Sequence, residues 1–263
     1  MGIGISTLAY LLTEHKARPL HGKALTLGRM DISFTMENLV QGAQAVGVKL
    51  VETPVKLSLS PALAAKGNIC DETFFKALGV TSLRALDISP YQDADLIWDL
   101  NRTGLPQEWR GAFDLIFDGG TMEHVFNFPN GLANIHELLA VGGRIIHASP
   151  ANNYLDHGLY QISPGLLYYY YLFNGYQINQ VLLHRVLPKD FFSAVGEFYH
   201  YDPAKFGDNQ LGAPDGAVWN VFVTATRTAQ STSHNIPVHW FCNSSELATK
   251  DLPASAKPDK QPA

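Results

Sequence analysis

The chain has 263 residues, 46% of them hydrophobic and 16% charged, with a net charge of -5. That composition supplies one sizeable core and excludes general disorder, and the acidic balance gives no reason to expect nucleic acid as a partner. Only two cysteines occur, Cys70 and Cys242, with no CxxC spacing, so a disulfide framework and a zinc site are not expected and a reducing, cytoplasmic setting is.

The apolar start over 1–12 has no basic segment before it, and no run reaches the ~18 apolar residues of a membrane span. Neither a leader nor a membrane partner is expected. Ser6 stands where it would cap a helix over 7–15, with Leu8, Leu11 and Leu12 at helical spacing. The apolar run 23–28, closed by Gly28, has the composition of a buried parallel strand. Thr35 with Asn38 opens a helix over 39–46. The stretch 48–66, rich in Pro, Ser and Leu, receives no assignment. Asp71 begins a helix over 72–78, stopped by Gly79.

Strands follow over 82–88 and 94–100, each carrying an Asp near its end, Asp87 and Asp99. A short strand over 115–117 runs into Asp118 and a Gly pair. An amphipathic segment over 132–139, a Val-Gly-Gly turn and a strand over 144–148 come next. A helix is expected over 164–173, then β-prone runs over 176–186 and 217–227. Alternation of this kind implies a doubly wound α/β fold, with a mainly parallel sheet and an antiparallel addition at one edge. One domain over 1–243 is expected, followed by a disordered tail over 244–263.

The run Phe113-Asp-Leu-Ile-Phe-Asp-Gly-Gly-Thr-Met-Glu-His-Val125, the segment Leu132-Ala-Asn-Ile-His-Glu-Leu-Leu139 and the following Gly-Gly-Arg144 are the most informative features. They resemble the second half of the core of class I S-adenosylmethionine (SAM) dependent methyltransferases. The resemblance covers roughly 23–148 and implies a seven-stranded, Rossmann-like sheet with SAM as cofactor. It implies that Asp87 holds the ribose hydroxyls, that Asp99 accepts from the adenine amine, and that Ile88 and Leu100 flank the ring. Gly28 stands where a glycine-rich first turn belongs, and Asp118 with Gly119 falls beside the methionine portion.

Two features depart from the family pattern. Leu27-Gly-Arg-Met-Asp31 offers one glycine where the family has several, leaving less room for close backbone approach. Asp87 also lies far beyond the ~20 residues that usually separate such an acid from the glycine turn. The excess, about 34–78, reads as an insertion covering cofactor or substrate.

The acceptor side falls to the segment 149–164, which follows the fifth strand and concentrates Asn152, Asn153, His157, Tyr160 and Gln161. His157 is the expected base for methyl transfer, with Tyr160 positioning the acceptor. Glu123 and His124 are expected in a structural role, Glu123 at a helix start and His124 packed beneath the loop. Tyr168 to Tyr171 point in several directions on a helix and read as core packing plus a pocket wall. No metal site is expected.

The whole reads as methyl transfer to a small-molecule or saccharide-like acceptor. The rival readings are a methyltransferase-like binding or scaffold protein that has lost SAM, and a nicotinamide-dinucleotide enzyme, which lacks its GxGxxG turn here.

Overall fold

The computed structural model describes residues 2–202 and 216–238; the tail over 244–263 and Cys242 lie outside the described residues. The first part of the chain forms β1 (Gly2–Ile3), α1 (Ile5–Ala17), β2 (Gly22–Leu27), β3 (Asp31–Ile32) and α2 (Met36–Val46). Next come α3 (Pro61–Ala64), α4 (Asp71–Ala77), β4 (Val80–Asp87), β5 (Leu96–Ile97), β6 (Phe113–Asp118) and α5 (Phe128–Leu138). The remainder holds β7 (Leu139–Asn152), α6 (Pro164–Phe173), β8 (Gln177–Val186), β9 (Glu197–His200) and β10 (Val218–Thr226). The short β1 and β3 pair with each other in parallel.

Among the described residues eight strands, where seven were expected, form the main sheet in the order β5-β4-β2-β6-β7-β10-β8-β9. β5, β4, β2, β6 and β7 pair in parallel, as the alternating pattern predicts. The antiparallel addition is more elaborate than one edge strand. β10 runs back between β7 and β8, antiparallel to both, and β9 closes the edge antiparallel to β8. The apolar content of β10 explains its inner place. Val221, Val223 and Ala225 enter the core on one face and Phe222 the core on the other, and a strand apolar on both sides needs cover on both.

The same two-sided burial runs through the parallel strands, where side chains alternate between faces. Leu25 and Ile116 pack with Leu132 and Ile135 of α5 and Leu167 of α6. Ala24, Leu115 and Phe117 pack with Leu8 and Leu11 of α1, Leu39 of α2 and Phe74 of α4. The insertion over 34–78 thus supplies core helices on one face of the sheet.

Local chemistry shifts several boundaries. α1 starts earlier than expected, after Gly4, and Ser6 does not cap it. The Ser6 hydroxyl instead donates to the Ala194 carbonyl at 3.0 Å and accepts from the Gly196 amide at 2.9 Å. Thr35 caps α2 in a reciprocal capping box with Asn38, as their spacing predicts. The strand expected over 94–100 shortens to two residues, and the Trp98 amide still reaches the Asp87 carbonyl at 2.8 Å.

Candidate active site

Parallel register decides which residues share the carboxyl rim. Leu27 pairs with both Leu86 and Asp118, and Asp118 pairs with His147. The residues immediately after them, Gly28, Asp87 and Gly119, therefore stand side by side at one edge. β2, flanked by β4 and β6, is the point where strand order reverses, and crevices for ligands open at such points.

Gly28 turns the chain at φ +77, a conformation that favours glycine, and its amide donates to the Leu86 carbonyl. Asp87 is half-buried at the rim. Its Oδ1 accepts from the Ser89 amide at 3.0 Å and hydroxyl at 3.3 Å, while Oδ2 takes no hydrogen bond among the described residues. Asp99 turns one oxygen onto the Asn101 amide at 2.9 Å and side chain at 2.8 Å. Those bonds, with Arg102 nearby, hold its carboxyl below the usual range. Ile88 is exposed and free to face a ligand.

Three of the expected residues are engaged by the protein itself. Leu100 is buried in the core with Leu86 and Leu96, so it has no face left for an adenine ring. Asp118 is fully buried and committed. Its Oδ1 accepts from the Thr121 and Met122 amides, and its Oδ2 lies 2.7 Å from His147 Nδ1. His147 Nε2 then meets the Tyr171 hydroxyl at 2.7 Å, so a buried chain of three polar groups ties β6, β7 and α6 together. At Gly119 a side chain is excluded by the protein itself, since a Cβ would lie 2.8 Å from Met30 Sδ and 2.6 Å from the Phe117 ring.

The turn after Gly28 is also filled from within. Arg29 reaches the Gln92 and Asp93 carbonyls, Asp95 at 3.0 Å and Asp71 at 3.7 Å. Asp71, the first residue of α4, also accepts from the Met30 amide, and burial pushes its carboxyl up. The insertion thus buttresses the first turn.

Beside this rim lies a cavity of about 990 Å³. It runs from Gly119 and Gly120 past Glu123, His124 and His157 to a floor of Phe222, Asn220 and His184, with Phe191, Phe192 and, from the insertion, Ser60, Ala62, Leu63, Lys66 and Asn68 on its walls. A hydrogen-bond relay fixes the floor. The Tyr154 hydroxyl donates to Asn220 Oδ1, and Asn220 Nδ2 donates to His184 Nδ1 at 3.1 Å. Burial lowers His184 to about 4, so its ring is neutral and its Nδ1 is free to accept.

Glu123 stands in the first turn of a short helix, but His124 is not packed beneath the loop. They sit in a 3-10 turn, Met122–His124, ahead of α5 rather than in its first turn. Glu123 is the fully buried partner, while the His124 side chain is 48% exposed. Burial, with Asp118 nearby, pushes the Glu123 carboxyl up to about 8, and burial with His157 nearby lowers His124. Among the described residues neither Glu123 oxygen has a hydrogen-bond partner.

His157 does reach this place, with its Nε2 3.6 Å from Glu123 Oε1. The Leu159 and Tyr160 amides both donate to the Glu123 carbonyl, and Gly158 lies so close that a Cβ would sit 2.9 Å from Glu123 Cγ. Tyr160 takes no part. Its hydroxyl donates to the Phe126 carbonyl at 2.7 Å and its ring packs on Phe128. Asn152, Asn153 and Gln161 are loop staples, bonded to the Asn153 amide, the Ala217 carbonyl and the Tyr154 amide. Tyr168 to Tyr171 pack in the core without lining this cavity. Sequence reasoning missed Tyr154, Asn220 and His184, which carry no motif; Asn220 meets His184 through β10 pairing with β8, and Tyr154 reaches Asn220 from the loop after β7.

No family model matches the chain, and no curated protein does. Solved structures with a similar chain path include methyltransferases. One is a SAM-dependent methyltransferase from Mesorhizobium loti, 13% identical, with a TM-score of 0.44 over 85% of this chain and 100% of that one. An O-methyltransferase of a Brevibacillus brevis multienzyme, in complex with S-adenosyl-L-homocysteine, is 12% identical with a TM-score of 0.43 over 88% and 74% of the two chains. A Burkholderia thailandensis 1,6-didemethyltoxoflavin-N1-methyltransferase is 13% identical, at 0.39 over 85% and 78%.

The rim of this chain fits the adenosine half of SAM by its own donor set. Asp87 keeps one carboxylate oxygen open for a ribose hydroxyl, and Asp99 and the exposed Ile88 stand further along the same edge. No described helix is long and apolar enough to cross a membrane.

Proposed function

We propose that this chain transfers a methyl group from SAM to a small acceptor held in the cavity. The supporting observation is a shared wall: Gly119, the residue after β6 and beside the point where strand order reverses, also lines the cavity, so cofactor rim and acceptor space adjoin. Asp87 and Asp99 would hold the nucleoside, with Gly28 turning the chain beneath it. When bound, SAM supplies an electrophilic methyl carbon. The protein's part is to align the acceptor and receive its proton.

The cluster of Glu123, His124 and His157 serves the reacting end of the acceptor, with His157 open to the cavity. Phe191, Phe192 and Phe222 offer apolar faces, and Tyr154 and Asn220 lie among them. A cavity of about 990 Å³ with that lining suits a small molecule bearing several hydroxyls and an apolar face, as a saccharide does.

One observation favours a second reading, a binding protein of the same fold without SAM: Arg29 and Met30 crowd the first turn from inside. Calorimetric titration with SAM and with S-adenosylhomocysteine separates the two. Saturable binding of both ligands supports methyl transfer. Absence of heat and of thermal shift with either supports the binding protein.

A further inference from the structure

We propose that Glu123, His124 and His157 hold a divalent first-row transition-metal ion at the Gly119–Gly120 end of the cavity. The role of the ion, orienting the acceptor's reacting atom, rests on the methyl-transfer reading; its binding does not.

The first observation is Glu123 itself. Its side chain is fully buried, it lines the cavity, and both carboxylate oxygens lack a hydrogen-bond partner among the described residues. Folded proteins seldom leave a buried ionisable group unsatisfied, and those that do commonly use it to hold an ion. The second is the arrangement around it. His157 Nε2 lies 3.6 Å and His124 Nε2 3.9 Å from the same oxygen, Oε1. One ligand atom from each of the three residues lies within 4.8 Å of the other two. These separations exceed a hydrogen bond, yet they approach the ~3.4 Å edge of a tetrahedron with metal–nitrogen bonds of about 2.0–2.1 Å. Both imidazoles are about half exposed, at 48% and 51%, so a small rotation closes the remaining gap.

The backbone brings the ligands together without help from the ion. The turn Met122–His124 carries two of them, with the His124 amide bonded to the Thr121 carbonyl at 3.0 Å. The loop carrying the third is fastened to that turn, because the Glu123 carbonyl accepts from the Leu159 and Tyr160 amides at 2.9 and 3.1 Å. Gly158 lets the two segments touch.

The donor set selects the ion. Two imidazoles and one carboxylate suit zinc, manganese, iron(II) or cobalt, whereas calcium and magnesium call for oxygen ligands throughout. Three protein ligands also leave a position open towards the cavity, where an acceptor oxygen or nitrogen would complete the sphere.

The test uses the full chain after treatment with a chelator. Co2+ is titrated by its visible d–d absorption and by calorimetry, with Zn2+, Mg2+ and Ca2+ as competitors, on wild type, His124→Ala, His157→Ala and the double variant. Circular dichroism confirms that each is folded. The expected result is one Co2+ per chain, displaced by Zn2+ and not by Mg2+ or Ca2+, and weakened about tenfold or more in either single variant. Failure of the wild type to take up Co2+, Zn2+ or Mn2+ overturns the proposal, as does equal uptake by the double variant. SAM titrated into the same samples separates the two readings. Binding of SAM without metal uptake removes only the metal site, whereas metal uptake without SAM binding upholds the site and removes the methyl-transfer reading.

Discussion

Gly158 shows how much one missing side chain organises. A Cβ there would lie 2.9 Å from Glu123 Cγ and 3.1 Å from the Glu123 carbonyl oxygen. Gly158→Ala should destabilise the protein by about 1–3 kcal/mol, the usual cost of overpacking, read as a lower urea midpoint at unchanged slope. Asp87→Ala should weaken SAM in a calorimetric titration by about ten- to a hundredfold, since a charge-assisted hydrogen bond contributes about 1.5–3 kcal/mol. His157→Ala should lower turnover and leave SAM affinity near that of wild type. Equal loss of both in His157→Ala would remove the division between cofactor rim and acceptor cavity. At this scale the sequence marked Gly28, Asp87 and His157, because strand ends and polar loops are visible in one dimension. It misplaced the side chains of Leu100, Asp118 and Tyr160. Leu100 turns into the core, Asp118 bonds to His147, and Tyr160 bonds to Phe126. Each of these directions depends on a partner distant in the chain.

Among the elements, α1 and β7 are locked by a buried ion pair. Glu14 is fully buried, and Arg144 Nη1 donates to it at 2.8 Å and to the Arg18 carbonyl at 2.8 Å. Arg18 also contacts Glu14, four residues before it on the helix. Arg144→Met leaves Glu14 with that outer partner alone and should lower stability by about 3 kcal/mol, measured by urea unfolding. Strand and helix identity were legible along the chain because apolar runs and amphipathic periods are local. Thr35 with Asn38 announced α2, and the expected helix over 164–173 matches α6, Pro164–Phe173. The stretch 48–66 was not legible. Among the described residues its one isolated bridge pairs Leu57 with Ile69, which lies outside the stretch.

At the scale of the whole molecule, burial sets the response to acid. His184 and His136 are both lowered to about 4, chiefly by burial. In the unfolded chain each titrates near 6.5, so between about pH 6.5 and 4 the unfolded state binds protons that the folded state refuses. This stabilisation is complete above pH 6.5 and is lost as pH falls towards 4, with His184 alone accounting for up to about 3 kcal/mol. Urea unfolding at about pH 7 and pH 4.5 should show the drop, and His184→Leu should reduce it.

The sequence by itself determined the alternation of strands and helices, the acidic ends of two strands and the polar loop carrying His157, since these follow from patterns within short windows. Only the tertiary structure decided that β10 lies inside the sheet, that Arg29 and Met30 fill the first turn, and that Glu123 faces two imidazoles. Those outcomes come from register and packing between segments far apart in the chain, where a residue's neighbours, and not its type, fix its direction, its burial and its charge.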